Sequence, residues 1–150
     1  MTAEATRLLM GIYFYPRGGS AHVCRALARE LGRNGVGVTL LAGSRSDLGE
    51  VALASAFYED LDLHAVDFTP AIRSPDPLHY AGGPWAAPIH GSYEDRPGAV
   101  DPVLARLDDE EFELQVEAWA AAMEAAAAPG VDALYLHHLT PLNEAAARVL

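Results

Sequence analysis

The feature that most constrains the fold of this chain is an apolar run that ends in a glycine turn directly before a helix pattern. Residues 8–14 are almost entirely apolar, Gly18 and Gly19 follow, and a helix pattern covers 21–33. A second apolar run covers 36–42. Short apolar runs of this kind are typical of strands that are buried on both faces of a parallel sheet. The order therefore predicts a right-handed β-α-β unit.

The first helix has a recognisable start and one apolar stripe. Ser20 is a good N-cap residue, because its hydroxyl can accept a hydrogen bond from a free N–H group of the first turn. Val23, Leu27 and Leu31 recur at a spacing of four, which predicts the face that packs on the core. Cys24 lies in the same helix, where a small buried side chain is the ordinary interpretation.

The rest of the chain continues the alternation of strands and helices. A weaker helix pattern covers 48–58, a third strand is predicted over 61–68, and a fourth over 131–136. Thr140 and Pro141 are a good N-cap and first residue for a last helix. The whole of 1–150 is therefore predicted to be one α/β domain with a Rossmann-like, doubly wound parallel sheet in the order 3-2-1-4.

The clearest helix is predicted over 108–128. Phe112, Val116, Trp119 and Met123 form one apolar stripe along it. The acidic residues at 108–111 complement the positive end of a helix dipole, so we interpret them as a solvated helix start and not as a metal site.

Residues 69–107 are predicted to form a long irregular insertion, rich in proline and glycine. The segment contains Tyr80, Trp85, His90 and Tyr93 among other aromatic and histidine residues. Long irregular segments in compact domains are usually functional or disordered. Two interpretations stay open: an ordered loop lying on the domain or over a ligand, or a surface insertion with no chemistry.

Composition excludes several classes of function. The formal net charge of −11 argues against nucleic-acid binding, which needs a basic surface. The single cysteine suits a reducing compartment, and the acidic start lacks the basic region of a signal peptide, so a cytoplasmic location is predicted. A peripheral membrane contact stays open.

The last helix has no stop signal before residue 150, so we expect an N-terminal piece of a longer protein.

Two weak motifs are predicted to converge at one edge of the sheet. Gly18 and Gly19 follow the first strand, and His137 and His138 end the fourth. In the 3-2-1-4 order these strands are neighbours, and ligands bind at the carboxyl ends of such strands. A structural tight turn and a histidine held by backbone groups are the plain alternatives. Arg17 could meet an anionic group or be a solvated charge.

Several well-known site motifs do not fit the sequence. The turn lacks the spacing of the dinucleotide fingerprint and the lysine of a P-loop, and no Gly-x-Ser-x-Gly nucleophile elbow is present. No carboxylate or cysteine stands at ligand spacing from the histidine pair, so a metal is not expected.

The block from Tyr13 to Leu31, which contains Tyr-Pro-Arg-Gly-Gly-Ser, resembles the opening of retaining glycosyltransferases of family four, which have the GT-B fold. The block 132–142, Asp-Ala-Leu-Tyr-Leu-His-His-Leu-Thr-Pro-Leu, resembles the later Asp-x-x-His-x-His segment of that family. Two positions depart from the pattern: Tyr135 stands where a first histidine is common, and Val36 replaces a histidine after the helix.

The resemblance implies a two-domain enzyme of which this chain is the N-terminal, acceptor-side half. It places Gly18 and Gly19 against the donor diphosphate or the reacting sugar, and His137 in a catalytic position beside the transferred sugar. His138 and Arg17 would lie on the acceptor side. The family mechanism implies transfer with retention and no metal or other cofactor.

The same resemblance implies that most of the nucleotide-sugar site lies in a C-terminal GT-B domain that this chain lacks, so the chain alone is expected to be inactive. The main alternative is a stand-alone Rossmann-like module that binds a small ligand or a partner without catalysis. A flavodoxin- or deacetylase-like enzyme would need carboxylates or a cofactor loop that the sequence does not show.

Overall fold

Four parallel strands form the central sheet within residues 5–150, the part of the chain that the computed structural model describes. They are β1 (Arg7–Ile12), β2 (Gly37–Ser44), β3 (Asp62–Asp67) and β4 (Ala133–His137), and their order is β3-β2-β1-β4. The predicted α/β class and the predicted 3-2-1-4 order are therefore both confirmed.

Five α-helices accompany these strands in the described residues: α1 (Gly18–Arg33), α2 (Ala54–Phe57), α3 (Thr69–Ile72), α4 (Asp109–Ala127) and α5 (Pro141–Val149). Short 3₁₀ turns lie at Ser46–Leu48 and Leu104–Arg106. No helix in this part of the chain combines the length and the apolar character needed to cross a bilayer.

Strand β1 lies between β2 and β4 and fixes the geometry of the candidate site. In the register, Ile12 at the end of β1 is opposite Ala42 on one side and His137 on the other. The carboxyl ends of β1 and β4 therefore share one edge of the sheet, and the segments that follow them leave the sheet at the same place.

The two faces of the sheet are covered by different helices. On the face that we call the α1 face, Met10, Ile12 and Leu40 pack with Cys24 and Ala28 of α1, in a cluster that also includes the start of α2. The opposite face, the α4 face, is covered by α4 and α5, and its core is centred on aromatic side chains such as those of Tyr13, Phe68 and Trp119.

Helix α1 differs from its prediction in its start and in its buried stripe. It begins at Gly18, and Arg17 occupies the N-cap position without a side-chain cap, so Ser20 is not the cap. Val23 is 58% exposed. The fully buried residues are Ala21, Cys24 and Ala28, with Leu27 and Leu31 partly buried beside them. Small side chains on this stripe let the helix lie close to the sheet, which turns Val23 to the surface.

Helix α4 confirms most of its predicted stripe. Val116, Trp119 and Met123 are fully buried, whereas Phe112 in the first turn is 38% exposed. The carboxylate of Asp108 accepts a hydrogen bond from the Glu111 N–H, and the Glu111 carboxylate accepts one from the Asp108 N–H. The acidic residues at this helix start therefore form a capping box.

The long segment 69–107 packs against the domain. It begins with α3, and its middle part places Ala87, Ile89 and His90 in the core of the α4 face or against it. Isolated parallel bridges join Asp67 to Ala86 and, within the segment, Ser92 to Val103. The segment is ordered and supplies one wall of the candidate site. The weaker helix predicted over 48–58 is reduced to a 3₁₀ turn and α2.

Candidate functional site

A cleft of about 380 Å³ lies at the edge of the sheet where β1 and β4 end. Its wall combines the segment after β1, the residue after β4 and part of the long segment 69–107. The lining residues are Phe14, Arg17, Gly18, Ser20, Ser92, Tyr93, Glu94, Arg96 and His138.

Three of the predicted site residues, Arg17, Gly18 and His138, line this cleft together. Gly19 and His137 are not among its lining residues. The structure thus brings His138 to the same cleft as Arg17 and Gly18, and it places His137 at the end of β4, outside the lining of this cleft.

Strand geometry explains why His138, and not His137, reaches the cleft. His137 is the last residue of β4 and is paired with Ile12, whose side chain packs on the α1 face. Because paired residues of neighbouring parallel strands point to the same face, the His137 ring lies on the α1 face as well. His138 follows the strand with a φ of +68° and packs its ring near Phe14 and Tyr93, with centroid distances of 5.6 and 5.9 Å.

His137 is nearly enclosed by protein. The residue is 9% exposed, its ring packs against Tyr135 with a centroid distance of 4.9 Å, and its Nε2 has no hydrogen-bond partner within residues 5–150. Burial, with a smaller contribution from His138, lowers the pKa of the His137 imidazole. The ring is therefore neutral near pH 7.

The positive φ of His138 is itself informative. Left-handed backbone is uncommon for residues other than glycine, although asparagine, aspartate and histidine adopt it more readily than the rest, and residues held in it cluster at functional sites. Here it turns the chain sharply between β4 and α5 and presents an imidazole ring beside the glycine turn.

Position 18 favours glycine because of its backbone conformation, and not because a side chain would clash there. Its φ is +63°, whereas a Cβ atom built at this position would meet no other atom within 4 Å. No side chain caps the start of α1, and its first turn contains no acidic residue. The free N–H groups at this helix start therefore face a region that is open to a ligand, next to the cleft.

Arg17 is held in place and is not merely a solvated charge. Its guanidinium donates to the Ser92 hydroxyl at 2.9 Å and lies 3.4 Å from a carboxylate oxygen of Asp101. The same guanidinium stands over the rings of Phe14 and Tyr15, with centroid distances of 4.7 and 5.0 Å. These contacts tie the glycine turn to the long segment 69–107.

Asp101 is the buried centre of this arrangement. Its carboxylate is 1% exposed and accepts hydrogen bonds from the Ser92 hydroxyl and, at 2.6 Å, from the Arg96 guanidinium. Burial by itself would raise the pKa of the Asp101 carboxyl, but these hydrogen bonds outweigh it and hold that pKa well below its usual range. One carboxylate is thus shared by the two arginines of the cleft, Arg17 and Arg96, and Glu94 adds a second acidic group to the lining.

Sequence reasoning missed Ser92, Arg96 and Asp101. They lie in the irregular segment, where no spacing rule links residues to one another or to Arg17. The only available signal was the conjunction of charged and aromatic residues in a segment too long to be a simple connection.

A second buried network, made of hydrogen bonds, holds the segment 69–107 against β1 and α4. The Tyr13 hydroxyl donates to the Gln115 carbonyl oxygen at 2.8 Å and accepts from the Gly91 N–H at 3.1 Å. The Gln115 amide in turn donates to the backbone oxygen of Ile89 at 2.5 Å. These bonds connect β1, α4 and the part of the segment that leads into the cleft.

Within residues 5–150, no three or more His, Cys, Asp or Glu side chains are grouped so that they could hold a metal ion. Comparison of the chain with protein family models, with curated proteins and with solved structures found no match in any of the three. The geometry of the cleft and the two sequence blocks that meet there are therefore the observations that bear on function.

Proposed function

We propose that this chain is the acceptor-side half of a glycosyltransferase that moves a sugar from a nucleotide-sugar donor to an acceptor with retention of configuration. The observation that carries the proposal is the meeting of the two sequence blocks in space. The glycine turn after β1 and the histidine after β4 line one cleft, because β1 and β4 are parallel neighbours.

The start of α1 is suited to the phosphate side of such a reaction. Free N–H groups and the helix dipole place partial positive charge beside Gly18, and the left-handed glycine leaves the backbone open to a ligand. Charge that develops on a leaving diphosphate is stabilised by dipoles already oriented toward it. Arg17, fixed by Ser92 and Asp101, adds a guanidinium at the same place, and the single Asp101 carboxylate that it shares with Arg96 offsets only part of their combined charge.

The histidine pair would act on the sugar and the acceptor. The resemblance assigns the contact with the transferred sugar to His137, whereas the cleft geometry favours His138 for any direct contact with a ligand. A neutral imidazole can donate a hydrogen bond to a sugar hydroxyl or accept one from it. His137, enclosed behind the end of β4, would then position the turn that carries His138.

The first experiment uses the protein encoded by the complete reading frame. A panel of nucleotide sugars is screened by thermal shift, because a ligand that binds the folded state raises the melting temperature. The stabilising donor is then used to measure sugar transfer. We expect one donor to stabilise the protein and to be consumed when an acceptor is present.

Two histidine variants separate the two assignments. We expect His138→Ala to lower transfer at least about tenfold, a loss typical of a removed contact at the reaction centre. If His137 touches the sugar, His137→Ala will give a similar loss; if it only positions the turn, the more conservative His137→Asn will keep most of the rate. His79→Ala is the matched control, because His79 is exposed and pairs with Asp76 away from the cleft.

The proposal is wrong if the complete protein binds no nucleotide sugar, or if both histidine variants transfer sugar at the rate of the unmodified protein. Tight binding of a small ligand without any transfer would instead support the non-catalytic binding module.

A further inference from the structure

A second cavity, of about 460 Å³, opens next to the cleft. It lies between the first turn of α4, the first turn of α5 and residues 103–105, and its apolar surface comes mainly from Val103, Leu104, Phe112 and Leu139. None of its lining residues is charged, in a chain with 31 charged side chains. Its volume is within the usual range for small-molecule sites, about 300–1,000 Å³. We call it the apolar pocket.

The cleft and the apolar pocket share a wall. Ser92 and Tyr93 line both of them. The Tyr93 hydroxyl donates to the backbone oxygen of Leu139 at 2.7 Å, and this bond holds the ring between the two spaces. One ligand that spans Tyr93 can therefore occupy both at once.

The pocket carries apolar surface that no other part of the described chain covers. Leu139 is 82% exposed, and Phe112 and Tyr93 are 38% and 52% exposed. Large apolar side chains that are exposed together around one cavity mark binding surfaces far more often than isolated ones do. Thr140 and Asn143, at the start of α5, add polar side chains to this mostly apolar wall.

We propose that the acceptor is an amphipathic small molecule. Its hydroxyl-bearing end lies in the cleft beside His138, and its apolar portion crosses Tyr93 into the pocket, against Phe112 and Leu139. This assignment of the acceptor class rests on the proposed function. A soluble acceptor is favoured over an anionic membrane surface, which the net charge of −11 would repel.

The test measures binding and not transfer. The 150-residue chain is titrated with n-hexyl β-D-glucoside and with methyl β-D-glucoside, and the dissociation constants are compared by calorimetry or NMR. The two probes share the sugar and differ only in their apolar tail, so we expect the hexyl compound to bind at least about tenfold more tightly.

Three variants locate this preference in the pocket. Leu139→Asp and Phe112→Glu change exposed side chains, so they are expected to fold, and each should reduce the preference for the hexyl compound to less than about threefold. Val23→Asp is the matched control, because it adds the same charge at a residue that is 58% exposed, does not line the pocket and belongs to α1 on the other face of the sheet; it should leave the preference unchanged.

Equal affinities for the two glucosides would overturn the proposal, and so would a preference that persists in both pocket variants. Sedimentation velocity tests the other occupant, a second copy of this chain: a dimer that dissociates in Leu139→Asp but not in Val23→Asp also overturns it. Sedimentation with vesicles of neutral phospholipid tests a lipid surface as the occupant. Vesicle binding that is lost in Leu139→Asp but kept in Val23→Asp also overturns the proposal. If the hexyl preference is present but the complete protein transfers no sugar, only the proposed function fails.

Discussion

The α1 face of the sheet is filled mainly by small and aliphatic side chains, with the buried ring of Tyr58 among them, whereas the α4 face is filled by a cluster of aromatic rings and a buried polar network. On the α1 face, Cys24 and Ala28 bring the helix close to the sheet. On the α4 face, Trp119 and Tyr13 fill a wider space, and the Tyr13 hydroxyl bonds to Gln115. The difference shows two ways of fixing a wall of the cleft. Close helix packing holds the start of α1, and the polar network holds the segment that carries Ser92 and Arg96.

Stability should fall most when Trp119, a side chain at the centre of the core on the α4 face, is removed. Trp119 is completely buried, so Trp119→Ala should lower the free energy of unfolding by about 3–5 kcal/mol. Phe112→Ala on the same helix is the control and should cost much less, because Phe112 is 38% exposed. Urea denaturation measures both. Equal losses would mean that the aromatic core does not dominate this face.

The close packing of the α1 face predicts a penalty for added volume. Ala28 is 1% exposed in the α1-face cluster, so Ala28→Leu should cost about 1–3 kcal/mol through overpacking. Val23→Leu adds volume on the exposed side of the same helix and should change stability by no more than about 0.5 kcal/mol. If Ala28→Leu stabilises the protein, the helix does not lie as close to the sheet as described.

Removal of one hydroxyl tests the polar network of the α4 face. Tyr13→Phe leaves the Gly91 N–H and the Gln115 carbonyl oxygen without their partner, at an expected cost of about 1–2 kcal/mol. Because these bonds hold the segment below the cleft, amide exchange of Gly91 should also become faster. Unchanged exchange at Gly91 would show that the segment is fixed by other contacts.

The buried histidine of the same face makes stability depend on pH. Burial lowers the pKa of His90 to about 3 from its ordinary value of 6.5, so the folded protein does not take up the proton that the unfolded chain binds below pH 6.5. Stability should therefore fall as the pH falls, by roughly 1 kcal/mol per pH unit between pH 6 and 5. His137, whose pKa is also lowered, adds to this slope.

The variant His90→Phe isolates that contribution. Its unfolding free energy should fall less steeply than that of the unmodified protein over the same pH interval, when both are measured by urea denaturation. Parallel pH profiles would mean that His90 is not neutral and enclosed in the folded state.

The β-α-β unit and the strand order could be predicted because both depend on local patterns. A buried run, a glycine turn and a helix pattern fix the direction of the chain around β1, and the neighbouring position of β4 follows from the common doubly wound order. The sequence pattern predicts a start of α1 at Ser20 that is too late, because Gly18 begins the helix in left-handed conformation, which favours glycine but leaves no cap residue to recognise.

The site was harder to predict than the fold. Which histidine faces the cleft depends on where β4 ends and on the left-handed backbone of His138, and neither is visible in the residue order. The contacts of Arg17 with Ser92 and Asp101 join residues that are 75 and 84 positions apart, through a segment without periodicity. The buried stripe of α1 was misassigned because alanine and cysteine give a weaker apolar signal than Val23.

The donor sugar is proposed to bind in the cleft between the glycine turn and His138. NMR of the histidine imidazole signals tests it directly, in the protein of the complete reading frame and with the nucleotide sugar selected by the thermal-shift screen. We expect the His138 signals to shift in a saturable way while those of the exposed His79 do not move. Saturation of the protein with the nucleotide sugar while the His138 signals stay in place would contradict it.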